Sequence, residues 1–308
     1  IAFFPLSPIA VRVGGDMVTV PAKILRDPEL FGNGNTRVVW GGVLISIVCF
    51  TFAVRRLYIL TRDLIDDYTA FRTSLLLITY PFALFFSAAY SEALFLLCLV
   101  STVLAWERGQ TRDAFWWGLA TGLARSNGWA ASAALLLDAA FRWRSMRRFL
   151  AASGPVLGMC LFSLYIYWLT GDPFSWARAQ QGWGRALDPL ATVTRRATAI
   201  SDLGMLGYVQ TDPVDALTAL SIIVAVATAG FLLLNRRWLY GVLILAYIAP
   251  AVLIDLPAAG RMTAPAFPIF LVLASWLKWR PAFWVTAALF GLGQAFLAAR
   301  FFTWRTPF

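Results

Sequence analysis

The amino-acid sequence predicts an all-α protein, a polytopic bundle of transmembrane helices. Of its 308 residues, 60% are hydrophobic and only 14% are charged, whereas a soluble domain is nearer to half apolar and a quarter charged. Long uncharged runs explain the difference. The run 217–234 reaches the length of about 18 apolar residues at which a helix can cross a bilayer. No single run dominates, so we expect a bundle rather than a soluble domain on an anchor.

Nine apolar runs predict about eight membrane crossings and one hairpin of two half-length helices. The runs lie at 38–60, 72–88, 91–106, 115–141, 149–169, 214–234, 238–255, 263–277 and 282–302. The run 115–141 is the predicted hairpin, because basic clusters flank it and turn-forming residues, R-S-N-G, lie at its centre. Non-helical backbone at membrane depth is tolerated only inside protein or beside a wet cavity. We therefore expect the turn at 125–128 to border an internal polar site.

The net charge of +10 is distributed in short basic clusters between the apolar runs. This arrangement is typical of cytoplasmic loops that meet anionic phospholipid, and not of a nucleic-acid-binding surface. We place the clusters at 55–72, 107–113, 142–148, 236–237 and 278–280 in the cytoplasm. The turn at 90–92, the link 255–265 and the polar stretches 14–37 and 170–213 are predicted to face outside.

The whole chain, 1–308, is predicted to be one transmembrane domain, with 170–213 as an extracytoplasmic loop within it. Only two of the 26 basic residues are lysine, namely Lys23 and Lys278. This bias fits a GC-rich bacterial genome, so the expected location is the bacterial cytoplasmic membrane.

The sequence contains no histidine, which excludes His-based catalytic triads and His metal sites. Cys49, Cys98 and Cys160 lie inside apolar runs without metal-ligand spacing, and we interpret them as small buried hydrophobic residues. Acid–base chemistry must therefore come from Asp or Glu, and we expect neither a metal nor a cofactor.

Charged side chains within apolar runs are the leading candidates for function, because they are costly to place in a membrane. Glu92 lies between two runs, either as a functional carboxylate or as a cap of the following helix. Arg125 lies at the predicted hairpin turn and needs an anionic partner, either a lipid phosphate or a carboxylate such as Glu92. Arg261 lies at an outer helix boundary, as a phosphate ligand or as a snorkelling side chain.

The stretch 170–213 adds further candidates. Asp172 is either a substrate-binding or a turn-forming residue. Trp176 and Trp183 are available either to stack on a sugar or to form part of an interfacial aromatic belt.

Five short elements follow one another along the chain. They are A-F-F-P-L-S-P at 2–8, Y-P-F through Y-S-E-A-L-F at 80–95, R-S-N-G at 125–128, G-D-P with A-Q and W-G at 171–184, and G-R with F-P at 260–268. In this order they resemble the motifs of the bacterial PIG-V-like mannosyltransferases, a family of the C-type glycosyltransferase (GT-C) superfamily. The chain departs from the family pattern at Ser7, where Tyr is common, and in the long stretch 14–37.

The resemblance implies a GT-C fold that transfers mannose, or another hexose, from a polyprenyl-phosphate-sugar donor. Transfer to an acceptor hydroxyl of a glycan or lipid, with inversion, is implied on the outer face of the membrane. The resemblance gives Glu92 a supporting catalytic role, with the main aspartate in a W-D motif upstream of Ile1. The substrate-binding residues on this reading are Arg125, Asn127, Asp172, Gln180, Trp183 and Arg261.

Two other functions use the same features. A transporter or lipid flippase needs charged groups within the membrane, although the inverted repeats that favour it are not visible in the sequence. A non-catalytic subunit of an envelope glycan assembly complex is the second alternative. A W-D motif in an upstream outer loop favours the enzyme over both.

Overall fold

The computed structural model describes residues 4–24, 34–181, 189–253 and 259–303, and within these ranges every regular element is helical. Among the residues in these ranges, three helical segments are long and apolar enough to cross a membrane, at Thr36–Leu64, Pro213–Leu234 and Arg280–Phe302. A fourth span is added if Met146–Ala152 and Gly154–Thr170, which are bent by 44° against each other, count together. The predicted all-α membrane bundle is confirmed, while the number of crossings stays a prediction.

The chain divides into two compact units, and the first comprises Ile1–Ser74 and Leu84–Trp176. Its helices are α1 (Leu6–Ile24), α2 (Gly34–Leu64), the start of α3 (Asp67–Thr79), α4 (Glu92–Glu107), α5 (Thr111–Ala124), α6 (Trp129–Asp138), α7 (Met146–Ala152) and α8 (Gly154–Thr170). The unit ends within the short helix α9 (Ser175–Gln181).

Glycines on α5 and α8 bring these two helices of the unit into backbone contact. Gly122 of α5 faces Pro155, and a Cβ at this glycine would lie 1.9 Å from the Pro155 carbonyl oxygen. Gly158 of α8 faces α5 in turn, with its Cβ position 2.3 Å from the carbonyl oxygen of Leu119. Small residues four apart let transmembrane helices approach this closely. The contact therefore fixes α5 against α8 without room for any side chain between them.

The helices α5 and α6 form the predicted hairpin. Arg125, between them, contacts Glu92 at the start of α4. Asp138, at the end of α6, accepts a hydrogen bond from Trp106 Nε1 near the end of α4. Glu92 and Trp106 are 14 residues apart on α4, so about 21 Å separates these two points at 1.5 Å per residue. The chain thus reaches one end of α4 at the R-S-N-G turn and returns to the other by Asp138.

Ion pairs join the basic clusters at the end of this unit opposite the turn. The Arg108 guanidinium donates to Asp63 Oδ2 from both Nε and Nη2, at 3.0 and 2.7 Å. Arg142 pairs with Glu107 at 3.4 Å. These contacts connect three clusters that the sequence analysis placed on one side of the membrane, and they lie together at one end.

The second unit comprises Leu75–Ala83 and Ala177–Phe308. Its helices are α10 (Pro189–Thr211), α11 (Pro213–Leu234), α12 (Trp238–Leu253), α13 (Ala259–Thr263), α14 (Pro268–Trp276) and α15 (Arg280–Phe302). Asp215 fastens α10 to the first turn of α11. It pairs with Arg196 at 2.6 Å and accepts a hydrogen bond from the Tyr208 hydroxyl at 2.5 Å.

The two predicted polar stretches contain regular structure. In 14–37 the chain is helical as far as Ile24 and again from Gly34, and in 170–213 it forms α9 and α10. Of the three cysteines, Cys49 and Cys98 are buried as expected, but the prediction was wrong for Cys160, which is exposed on α8.

Candidate functional site

The candidate site of the first unit is centred on an ion pair between Glu92 and Arg125. Arg125 Nη1 lies 2.5 Å from Glu92 Oε1, and the exposed fractions of the two side chains are 13% and 1%. The same nitrogen donates to Ser91 Oγ at 3.3 Å. The sequence analysis left two anionic partners open for Arg125, a lipid phosphate or a carboxylate. The structure shows the ion pair with the carboxylate of Glu92.

Local structure explains why these charges meet. Glu92 is the first residue of α4, where the positive end of the helix dipole favours a carboxylate. Arg125 is extended, with φ −153° and ψ 153°, and this conformation ends α5 and turns the chain into a short 3₁₀ segment, Ser126–Gly128. Because the hairpin reverses here, its guanidinium points towards the start of α4. Either charge without the other would be an uncompensated buried charge, which is strongly destabilising.

Asn127 lies in the same turn and is buried, with 8% of its surface exposed. In the part of the chain that the structure describes, its Nδ2 group has no hydrogen-bond partner. An unpaired buried amide is unfavourable and calls for an explanation such as a ligand or an ordered water. Asn127 is thus the second polar group that the turn provides.

An aromatic cluster packs behind this turn. Phe4 contacts the ring of Phe162 with centroids 4.5 Å apart, and Leu123, two residues before Arg125, packs against the same cluster. Trp176 meets Phe4 edge-on at 5.4 Å and donates from Nε1 to Ser163 Oγ at 3.0 Å. The A-F-F-P element and the region after G-D-P therefore meet in this unit, and Trp176 has a packing role.

Asp172 behaves as a turn residue. Its carboxylate accepts hydrogen bonds from the Phe174 backbone N–H at 3.1 Å and from Ser175 Oγ at 2.8 Å, just where α9 begins. This geometry supports the turn-forming alternative, which the sequence analysis left open.

Arg261 belongs to the second unit, on the five-residue helix α13. The hydroxyls of Tyr80 and Thr263 are hydrogen-bonded at 2.6 Å. Gly260 lies directly on the ring of Phe82, whose nearest atom would be 2.2 Å from an added Cβ. The Y-P-F and G-R elements thus meet in this unit and hold the backbone on both sides of Arg261.

The remaining predicted residues are less informative. Gln180 lies on α9, and Trp183 lies outside the described residues. Sequence analysis missed Ser91, whose only signal was its position between Tyr90 and Glu92, and it did not identify the buried amide of Asn127 as unpaired.

The charged and polar side chains at the turn of the first unit can stabilise negative charge and bind hydroxyl groups. A guanidinium beside a buried carboxylate can stabilise negative charge on a phosphate leaving group. The carboxylate and the Asn127 amide are groups that hydrogen-bond to sugar hydroxyls.

Residues 1–152 match the family described as Mannosyltransferase (PIG-V). No curated protein and no solved structure gives a significant match. The matched residues include Glu92, Arg125 and Asn127, whereas Asp172 and Arg261 lie beyond them.

Proposed function

We propose that the protein, whose residues 1–152 match the Mannosyltransferase (PIG-V) family, transfers mannose from a polyprenyl-phosphate donor to an acceptor hydroxyl at the outer face of a bacterial cytoplasmic membrane. The family match itself supports a glycosyltransferase with a sugar donor and an acceptor. The observation that carries the finer proposal is the buried Glu92–Arg125 pair at the hairpin turn.

In the proposed reaction the acceptor oxygen attacks the anomeric carbon as the bond from that carbon to the phosphate oxygen breaks, with inversion. Polyprenyl phosphate leaves with the bonding electrons, and Arg125 stabilises the charge that develops on it. A base removes the acceptor proton. By resemblance this base is the aspartate of the family's W-D motif, and Glu92 orients the acceptor or holds Arg125 in position.

The donor role of Arg125 is tested with polyprenyl-phosphate-[³H]mannose as donor and host membranes as the source of acceptor. Arg125→Lys keeps the positive charge near Glu92 but removes the planar guanidinium, whose N–H groups can donate two hydrogen bonds to one phosphate. Loss of one hydrogen bond to a charged group is worth about 1.5–3 kcal/mol. We therefore expect the donor KM to rise by roughly tenfold or more. Unchanged kinetics, or direct use of a nucleotide sugar, would contradict the proposal.

The two roles of Glu92 are separated by a double-mutant cycle on activity. If Glu92 acts only through Arg125, the losses caused by Glu92→Gln and Arg125→Gln should be strongly non-additive. If it also contacts the acceptor, Glu92→Gln should lower turnover while donor binding stays intact. Breaking a buried ion pair costs about 3–5 kcal/mol, so the thermal midpoint of each variant is measured alongside. Full activity of Glu92→Gln would remove Glu92 from the site.

A further inference from the structure

Two arginines occupy backbone positions that favour glycine. Among the described residues, Arg144 and Arg236 alone combine a side chain with a positive φ, at 45° and 57°. Each follows the end of a helix, where the left-handed conformation is usually taken by glycine because a Cβ is unfavourable there. A cation is favourable near a helix C-terminus, but positions in the last helical turn offer this without a positive φ. The folding of the chain alone therefore does not explain an arginine at either position.

Arg144 lies on a surface that combines positive charge and exposed apolar groups. Its backbone N–H donates to the Ala139 carbonyl at 2.7 Å and closes a π-helical turn. The side chains of Arg144 and Arg147 are exposed and have no ion-pair partner within the described ranges. Phe141 and Met146 beside them are 62% and 73% exposed.

The neighbouring arginines at this site have other roles. Arg142 pairs with Glu107, and Arg148 is buried, donating to the Trp106 carbonyl at 2.8 Å. The charge available to a ligand is therefore that of Arg144 and Arg147.

Arg236 has equivalent surroundings in the second unit. It follows α11, one of the helices long enough to cross a membrane, and its backbone N–H donates to the Leu233 carbonyl at 3.0 Å. Arg236 and Arg237 are exposed, and the adjacent Leu234 is 86% exposed. Trp276, half exposed, contacts Phe231 of α11 with ring centroids 5.0 Å apart, so an aromatic side chain borders this surface too.

We propose that Arg144 and Arg236 are headgroup-binding residues for acidic phospholipid, each at the place where its unit leaves the apolar layer. Guanidinium groups bind phosphate in bidentate geometry. Exposed apolar side chains around them insert among the acyl chains, and basic side chains next to a span are attracted to anionic lipid. This inference is independent of the proposed enzymatic activity.

Native mass spectrometry of the purified chain in detergent, titrated with dioleoyl-phosphatidylglycerol or dioleoyl-phosphatidylcholine, tests the proposal. The variants are Arg144→Gly and Arg236→Gly, which remove the guanidinium and suit a positive φ. Each arginine near an anionic lipid contributes enough for about a fivefold change in affinity. We expect each variant to lose about that factor for phosphatidylglycerol and none for phosphatidylcholine. The thermal midpoint without lipid should stay the same or rise, because glycine relieves the backbone strain.

Arg112→Gln is the matched control, since Arg112 is an exposed arginine at the start of α5 whose φ is not positive. It should retain phosphatidylglycerol binding. An equal loss in Arg112→Gln would indicate diffuse attraction to positive charge and overturn the proposal. Three other results would do the same: equal binding of the two lipids, competition by soluble glycerol phosphate, and a lower thermal midpoint in the glycine variants.

Discussion

Asp215 illustrates how a single carboxylate can join two helices. Arg196 donates to it from Nε and Nη2, at 3.0 and 2.6 Å, and Tyr208 donates from the other side. All three side chains come from a region predicted as an outer loop and the first turn of a span. The carboxylate is thus satisfied although only 9% of its side chain is exposed.

The Tyr208 hydroxyl should ionise only at strongly alkaline pH. Burial and the hydrogen bond to Asp215 raise the pKa of Tyr208 to about 12, from an ordinary value near 10. Because the folded pKa is raised, the stabilisation is complete below about pH 10 and is lost as the pH rises through the folded value. Absorbance at alkaline pH should show a late ionisation step, and Tyr208→Phe should reduce its amplitude by the contribution of one tyrosine.

Tyr208→Phe should also lower stability by about 1.5 kcal/mol, the low end for a bond to a charged group because Arg196 still satisfies Asp215. An unchanged thermal midpoint together with an unchanged late ionisation step would show that Tyr208 does not bond Asp215 in solution.

The candidate side chains were partly predictable from sequence. Glu92 and Arg125 were identified because charge inside apolar runs is costly, and pairing between them was one expected alternative. The unpaired amide of Asn127 could not be identified, because it depends on which atoms surround the turn. The Arg196–Asp215 pair was also missed, since hydropathy assigns Arg196 to a polar stretch and Asp215 to the start of a span, and it does not report contacts nineteen positions apart.

At the scale of helices, the glycine contact between α5 and α8 determines how the hairpin is held. Gly122→Ala should destabilise the protein by about 1–3 kcal/mol, because overpacking forces the backbones apart. The matched control is Gly291→Ala in α15, where a Cβ meets nothing within 4 Å. That change should stabilise by up to about 1 kcal/mol, through helix propensity. Thermal midpoints in detergent measure both, and equal shifts in one direction would contradict the described packing.

The reversal at R-S-N-G was predictable because turn-forming residues interrupt an apolar run between two basic clusters. The residues at which helices begin and end were less predictable. The run 72–88 contains the end of α3 and a 3₁₀ segment, Pro81–Phe86, where a single span was predicted. The stretch 170–213 was interpreted as a loop because it is polar, yet α10 forms there since polar residues suit an exposed helix as well as a loop.

At the scale of the molecule, the first unit makes a clear prediction about topology. Gln110, in the turn between α4 and α5, lies at the end with the basic clusters, whereas Phe174 follows Asp172 beyond the far end of α8. Cysteines at these two positions, in a Cys160→Ala background because Cys160 is exposed, should react with a membrane-impermeant maleimide from opposite sides. Reaction of both from the same side in intact cells would contradict the described arrangement and the predicted topology.

The whole-molecule architecture was predictable only as a class. Composition and apolar runs are sufficient for an all-α membrane bundle, because only helices satisfy the backbone inside lipid without a closed barrel. The division into two units was not expected. The 80–95 element contributes to both units: Glu92 meets Arg125 in one, whereas Tyr80 is hydrogen-bonded to Thr263 in the other.

The shortness of α6 has a consequence for biosynthesis. With ten residues, it is about 15 Å long at 1.5 Å per residue, roughly half of the hydrocarbon thickness of a bilayer. It cannot leave the translocon as an independent span. The helix α5 packs against α4, which is synthesised earlier, and against α8, which is synthesised later. The nascent hairpin can therefore lean on α4 when it leaves the translocon, but it reaches its final packing only after α8 has emerged.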